Sequence, residues 1–83
     1  MDYTLDYLKE ALSNWADRDD RALNLFQKID DHQFPNEEAF AEVLSEEEAQ
    51  YLSGILRKEM AYAENEQDEV RFNELNHVYE QLI

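Results

Sequence analysis

The sequence has no cysteine, and only one glycine and one proline among its 83 residues. Without cysteine the chain can form neither a disulfide framework nor a thiolate metal site, which suits a reducing compartment. Strand-rich domains need many turns built on glycine and proline, so the shortage of both residues favours a few helices. We therefore expect an all-α protein.

Basic residues are also scarce. Seven Lys and Arg stand against 21 Asp and Glu, which gives a net charge of −14, and the seven bases are scattered along the chain. The strength of phosphate binding depends on how many Lys and Arg are engaged. Nucleic acids and anionic membranes are therefore not expected as partners, whereas a basic protein would be compatible with the charge.

Long apolar runs are missing as well. The longest covers residues 60–63 and is too short to cross a bilayer. The amino terminus lacks a basic segment before an apolar run, so we expect no signal peptide and a cytoplasmic location. The length predicts a single domain over residues 1–83, and a second copy would enlarge the small core of such a domain.

One apolar stripe dominates the first third of the chain. Tyr3 and Leu8 are placed for a hydrophobic staple at its start. Its members recur with the spacing of one helix face: Leu5, Leu8, Leu12, Trp15, Ala22, Phe26 and Ile29. The polar run at 17–21 interrupts the stripe in composition but not in register. We therefore predict one long helix from about residue 4 to 30, bent or frayed near 17–21, with two helices as the alternative.

Later signals divide the rest of the chain into shorter helices. Pro35 marks a break before a short helix. Ser45 and Glu48 have the spacing of a capping box at the start of the next helix. A break within 64–68, followed by Asp68 as an N-cap, is predicted to separate the last helix. The predicted fold is a small antiparallel helical bundle, with a long N-terminal helix packed against a C-terminal helical pair.

Residue types that could carry chemistry do not form a convincing site. A nucleophile would come from Ser13, Ser45 or Ser53 with a histidine as base, but one small core leaves little room for a cleft. Glu74 and His77 supply only one of the two Glu-x-x-His pairs that a di-metal bundle needs. Residues 17–21 begin like a calcium loop but lack its glycine. We expect no catalytic, cofactor-binding or metal-binding residues, and no enzyme.

Aromatic and off-stripe apolar residues are the candidates for protein contact. Trp15 is either a core residue or an anchor at an interface. Gly54 either tolerates a cost of about 1 kcal/mol relative to Ala or marks the close approach of another helix. The candidate interaction residues are Tyr7, Trp15, Leu23, Tyr51 and Tyr62.

Three segments carry a resemblance to a known family: MDYTLDYLKEALSN at the start, NEEAFAEVL in the middle and YAENEQDEVRFNELNHVYEQLI at the end. With these segments the chain resembles the sigma-G-dependent, sporulation-specific acid-soluble spore proteins of endospore-forming bacteria. The resemblance implies expression in the forespore, and a location in the forespore or spore core. It implies no catalytic or ligand-binding residue, and the charge argues against DNA coating.

These observations lead to one functional hypothesis and two alternatives. The leading hypothesis is a non-enzymatic interaction or structural module of the forespore that binds a protein partner or itself, as a two-fold homodimer. The first alternative is an acidic antagonist that mimics nucleic acid and occupies a basic DNA-binding or transcription protein. The second is loose binding of divalent cations by the acidic faces.

Overall fold

The computed structural model describes residues 4–83. Within this range the chain forms five α-helices and no strand, which confirms the all-α prediction. The helices are α1 (Thr4–Ala16), α2 (Asp20–Asp31), α3 (Glu37–Glu42), α4 (Glu46–Asn65) and α5 (Glu69–Leu82). The staple predicted between Tyr3 and Leu8 lies outside the described residues. None of these helices combines the length and the apolar character that a bilayer crossing requires.

The predicted long N-terminal helix is wrong, because the chain breaks between α1 and α2. The carbonyl of Trp15 accepts from the backbone N–H groups of Arg18 and Asp19, both at 3.0 Å, which ends α1. The Asp19 carboxylate then caps α2 by accepting from the Arg21 N–H at 2.9 Å. A straight helix of 27 residues would be about 40 Å long, whereas the longest extent of the molecule is 30 Å.

The two helices fold back on each other as a hairpin. Lys9 Nζ on α1 lies 2.6 Å from Asp30 Oδ1 near the end of α2, so the first half of α1 meets the far end of α2. The apolar stripe keeps its phase across the break because each helix turns its own apolar face to the same core. Register alone therefore did not distinguish one helix from two.

All five helices contribute to one apolar core. Its largest fully buried side chains are Leu8, Leu12, Leu25, Phe40, Leu52, Leu56, Leu75 and Val78. Trp15, Phe26 and Tyr51 are partly buried and pack against this core from its edge. The acidic residues thus remain mainly on the outside, where hydration stabilises their charge.

The predicted start of α4 is confirmed in detail. Ser45 Oγ accepts from the Glu48 N–H at 3.1 Å, and Glu48 Oε1 accepts from the Ser45 N–H at 2.9 Å, which completes the capping box. Lys28 Nζ on α2 lies 3.1 Å from the same carboxylate. The pKa of Glu48 lies below its ordinary value, mainly because its carboxylate accepts from the backbone N–H of Ser45 and, to a smaller extent, because it contacts Lys28.

The break between α4 and α5 is also confirmed, and it is formed without a glycine. Asp68 N–H donates to the Ala63 carbonyl at 2.8 Å, and Gln67 N–H donates to the Glu64 carbonyl at 3.0 Å. This is a Schellman motif, and Gln67 takes the left-handed position with φ of 58°. Asp68 then caps α5 by accepting from the Arg71 N–H at 3.1 Å.

Candidate interaction surface

The candidate nucleophiles are not assembled into a catalytic arrangement. Ser13 Oγ donates to the Glu10 carbonyl at 2.7 Å, Ser53 Oγ donates to the Ala49 carbonyl at 2.8 Å, and Ser45 caps α4. His32 and His77 are exposed. The serine hydroxyls are thus engaged in local backbone contacts, which are ordinary features of helices.

In the suspected calcium segment, the Asp19 carboxylate has a structural role. Asp19 caps α2 and forms an ion pair with Arg21, whose Nη2 lies 2.9 Å from Asp19 Oδ2. The Arg21 side chain, followed by the Arg21 N–H, lowers the pKa of Asp19 from 3.8 to about 2. Among the described residues, no group of three His, Asp or Glu side chains is arranged to hold a metal ion.

Trp15 lies at the end of α1 against the outer side of α4. Its indole Nε1 donates to Glu59 Oε1 at 2.8 Å. Two cations lie over the indole ring: the Arg18 guanidinium carbon at 4.6 Å and Lys58 Nζ at 5.0 Å from the ring centroid. Both distances fall within the range of cation–π attraction. The half-buried indole ring is therefore covered by the positively charged groups of Arg18 and Lys58.

Tyr51 lies one side of Trp15, in a hollow of about 310 Å³ that Gly54 and Lys58 also line. The Arg21 guanidinium carbon stands 4.1 Å from the centroid of the Tyr51 ring. Burial, and then the neighbouring Asp19 carboxylate, raise the pKa of Tyr51 above its ordinary value.

Gly54 is not a site of close helix approach, so that interpretation is wrong. A Cβ added there would meet no atom within 4 Å. The glycine instead leaves the hollow beside Tyr51 open, and the alternative of a tolerated residue stands.

Tyr62 lies on the other side of Trp15 and is 62% exposed. It shares an open hollow of about 460 Å³ with Trp15, Arg18 and Lys58. On α4, Tyr51, Lys58 and Tyr62 are spaced by seven and four residues, which places them on one side of the helix. We define the α4 face as the surface formed by Trp15, Tyr51, Lys58, Tyr62 and Glu66.

Tyr7 and Leu23 lie away from the α4 face. The Arg71 guanidinium carbon covers the Tyr7 ring at 5.4 Å from its centroid. Arg71 also pairs with Glu10 at 2.9 Å and Asp68 at 3.2 Å, so this cluster joins α1 to α5. Leu23 on α2 is 37% exposed. The structure thus brings three of the five candidate interaction residues, Trp15, Tyr51 and Tyr62, to one surface.

The two cations on Trp15, Arg18 and Lys58, were not among the candidate residues predicted from the sequence. Arg18 follows Trp15 by three residues, and Lys58 lies between Tyr51 and Tyr62 in the α4 pattern. Helical spacing was therefore a usable signal for both. The approach of Lys58 to Trp15 needs the packing of α1 on α4, and this long-range contact leaves no local sequence pattern.

The chain is similar to known proteins over its full length. Residues 1–83 match the family model described as "CsgA: Minor curli fiber component A". The chain is 42% identical over 83 residues, the full length of both proteins, to the "Sigma-G-dependent sporulation-specific SASP protein" of Bacillus subtilis (strain 168). No solved structure matches the chain.

Proposed function

Because the chain belongs to the CsgA family and to the family of the sigma-G-dependent sporulation-specific SASP protein, we propose that it is a non-enzymatic sporulation protein of the forespore cytoplasm. Its role in this proposal is that of a protein-interaction module that also associates with itself. The observation that carries the proposal is the α4 face, where partly exposed aromatic rings surround open hollows. Aromatic residues of this kind are enriched at the centres of protein interfaces.

The arrangement of the remaining side chains supports an interaction role over an enzymatic one. The serines that could act as nucleophiles donate to or accept from local backbone groups. The fibre named in the family description is not part of the proposal, because residues 4–83 contain no strand and so offer no strand edge to which a further chain could add.

Affinity capture from sporulating cells tests the proposal. The bait is the full chain with a tag, and the matched control bait is Tyr62→Ser, which removes the most exposed ring of the α4 face. Mass spectrometry is expected to find a protein retained by the first bait and reduced with the second, and light scattering is expected to show a species heavier than 9.9 kDa. A strict monomer that retains no protein contradicts the proposal.

The acidic antagonist remains the second candidate, and the net charge of −14 favours it. A nucleic-acid mimic would bind the basic groove of a DNA-binding protein, compete with DNA and weaken steeply with salt. The binding of any captured partner to the chain is measured in 50 mM and 500 mM salt, where the screening length is about 14 Å and 4 Å. This comparison separates the acidic antagonist from the interaction module. A partner that stays bound at high salt, or that lacks a basic groove, contradicts the antagonist.

A further inference from the structure

Three open hollows follow one another along the outer side of α4. The hollow beside Tyr51 shares Trp15 and Lys58 with the next, and that one shares Glu59 and Tyr62 with a third hollow of about 600 Å³, which reaches Glu66. The α4 face is therefore one continuous surface rather than separate depressions.

Charge changes sign along this surface. At one end, Arg18 and Lys58 lie on Trp15, and neither forms an ion pair with any residue in the part of the chain that the structure describes. This is unusual in a chain with three times as many acids as bases, since most bases here, such as Lys9, Lys28 and Arg71, have a carboxylate partner. Arg18 Nη2 donates to the Asn14 carbonyl at 3.2 Å, so Lys58 is the cation on Trp15 whose ammonium group remains available for a partner's carboxylate.

The opposite end of the surface is acidic. Glu66 lies directly after α4, and the last turn of α4 contains no basic residue. The C-terminal end of a helix carries a partial negative charge, which repels Glu64 and Glu66 and would be stabilised by a cation. Within residues 4–83 no such cation is paired with Glu66.

Tyr62 lies midway between Lys58 and Glu66 on the α4 face. Lys58 precedes it by four residues and Glu66 follows it by four, so the two charges are about 12 Å apart along the helix. When two such helices pack antiparallel with their Tyr62 residues in contact, Lys58 of each copy faces Glu66 of the other. A two-fold axis at Tyr62 therefore forms this charge pair twice.

We propose that the α4 face is the site at which a second copy of this chain docks, antiparallel and about a two-fold axis that passes near Tyr62. Lys58 of one copy meets Glu66 of the other, and the Trp15 and Tyr62 rings form the apolar centre of the contact. This inference rests on the proposed function, because it specifies the surface through which the chain associates with itself.

Charge exchange between Lys58 and Glu66 tests the inference. Sedimentation equilibrium and light scattering are run over a concentration series on the wild type, Lys58→Glu, Glu66→Lys and the double variant. Each single variant sets like charges opposite each other twice and is expected to weaken dimerisation about tenfold or more. The double variant reverses both charges and is expected to recover most of the wild-type affinity.

Two control variants separate this specific pairing from net charge. Arg57→Glu changes an exposed neighbour of Lys58 that lies around the helix from the α4 face, and Glu42→Lys changes an exposed acid on α3. If only overall repulsion mattered, Glu66→Lys and Glu42→Lys would strengthen association equally, because both reduce the net negative charge. The inference requires Glu66→Lys to weaken association while Glu42→Lys does not, and it requires Lys58→Glu to weaken association more than Arg57→Glu does.

The outcomes separate the inference from the proposed function. Weakening by each single variant and recovery in the double variant support the docking mode. A dimer that the Lys58 and Glu66 variants leave unchanged overturns the inference and keeps the interaction module. A wild-type monomer at every concentration also overturns the inference, and the proposed function then fails only if affinity capture retains no other protein. Circular dichroism confirms that each variant keeps its helices.

Discussion

Gln67 holds the only left-handed backbone conformation among the non-glycine residues of the range 4–83, with φ of 58°. An L-residue other than glycine pays about 1 kcal/mol or more in this region. Gln67→Gly is therefore expected to raise the free energy of unfolding by about 1 kcal/mol in urea titrations. Gln27→Gly is the matched control, because it lies inside α2 and should lower that free energy by about the same amount. A destabilising Gln67→Gly would contradict the Schellman geometry.

Asp19 makes the stability of the fold depend on pH. Its folded pKa of about 2 lies below its ordinary value of 3.8, so the ionised carboxylate stabilises the fold above that ordinary value. The contribution is lost as the pH falls through about 2. Asp19→Asn keeps an N-capping side chain but removes the charge.

The measurement is the difference in unfolding temperature between wild type and Asp19→Asn from pH 7 down to pH 2. Wild type is expected to be more stable at pH 7, and the difference should shrink toward zero near pH 2. Asp17→Asn is the control, because it removes one negative charge two residues before Asp19 and so gives the general effect of that charge on the unfolding temperature. A difference between wild type and Asp19→Asn that stays constant with pH would show that the Asp19 charge does not contribute.

At the scale of the elements, the division of the first third into α1 and α2 is open to a direct distance measurement. The chain has no cysteine, so Asp6→Cys and Asp31→Cys can be spin-labelled as a unique pair. One straight helix would separate these positions by about 38 Å. The hairpin predicts a distance below 30 Å, the longest extent of the molecule. A distance distribution from electron paramagnetic resonance that peaks near 38 Å would contradict the hairpin and support one continuous helix.

Helix starts were predictable where a side chain caps the backbone locally. Ser45, Glu48 and Asp68 have capping functions that depend on neighbours within three residues, and the structure has all of them. The break after Ala16 was predicted only as the alternative to one long helix, because the apolar phase on its two sides agrees. Asp19 is also an N-cap, and this was the local signal that the periodicity obscured.

The candidate surface was only partly predictable for the same reason. Trp15, Tyr51 and Tyr62 stood out by residue type, and helical spacing placed the two tyrosines on one side of α4. Whether the two tyrosines lie beside Trp15 depends on how α1 packs against α4. The hydrogen bond from Trp15 to Glu59, which joins residues 44 positions apart, is part of that packing. Contacts at this separation leave no periodicity in the sequence, so the approach of Lys58 to Trp15 emerged only from the structure.

At the scale of the whole molecule, a charge of −14 opposes association unless opposite charges meet locally. The α4 face provides this arrangement, because its cationic and acidic ends lie on either side of Tyr62. Salt is therefore expected to act in two opposing ways: it screens the overall repulsion and it weakens the pairs between Lys58 and Glu66.

Trp15 is the single tryptophan of the chain, so its fluorescence reports directly on whether the α4 face becomes covered. The most direct test is acrylamide quenching of this emission across the concentration range in which sedimentation detects the dimer. We predict that quenching decreases and the emission shifts to shorter wavelength as the dimer forms, and that Lys58→Glu moves both changes to higher concentration. Quenching of Trp15 that stays constant while the dimer forms would contradict the account.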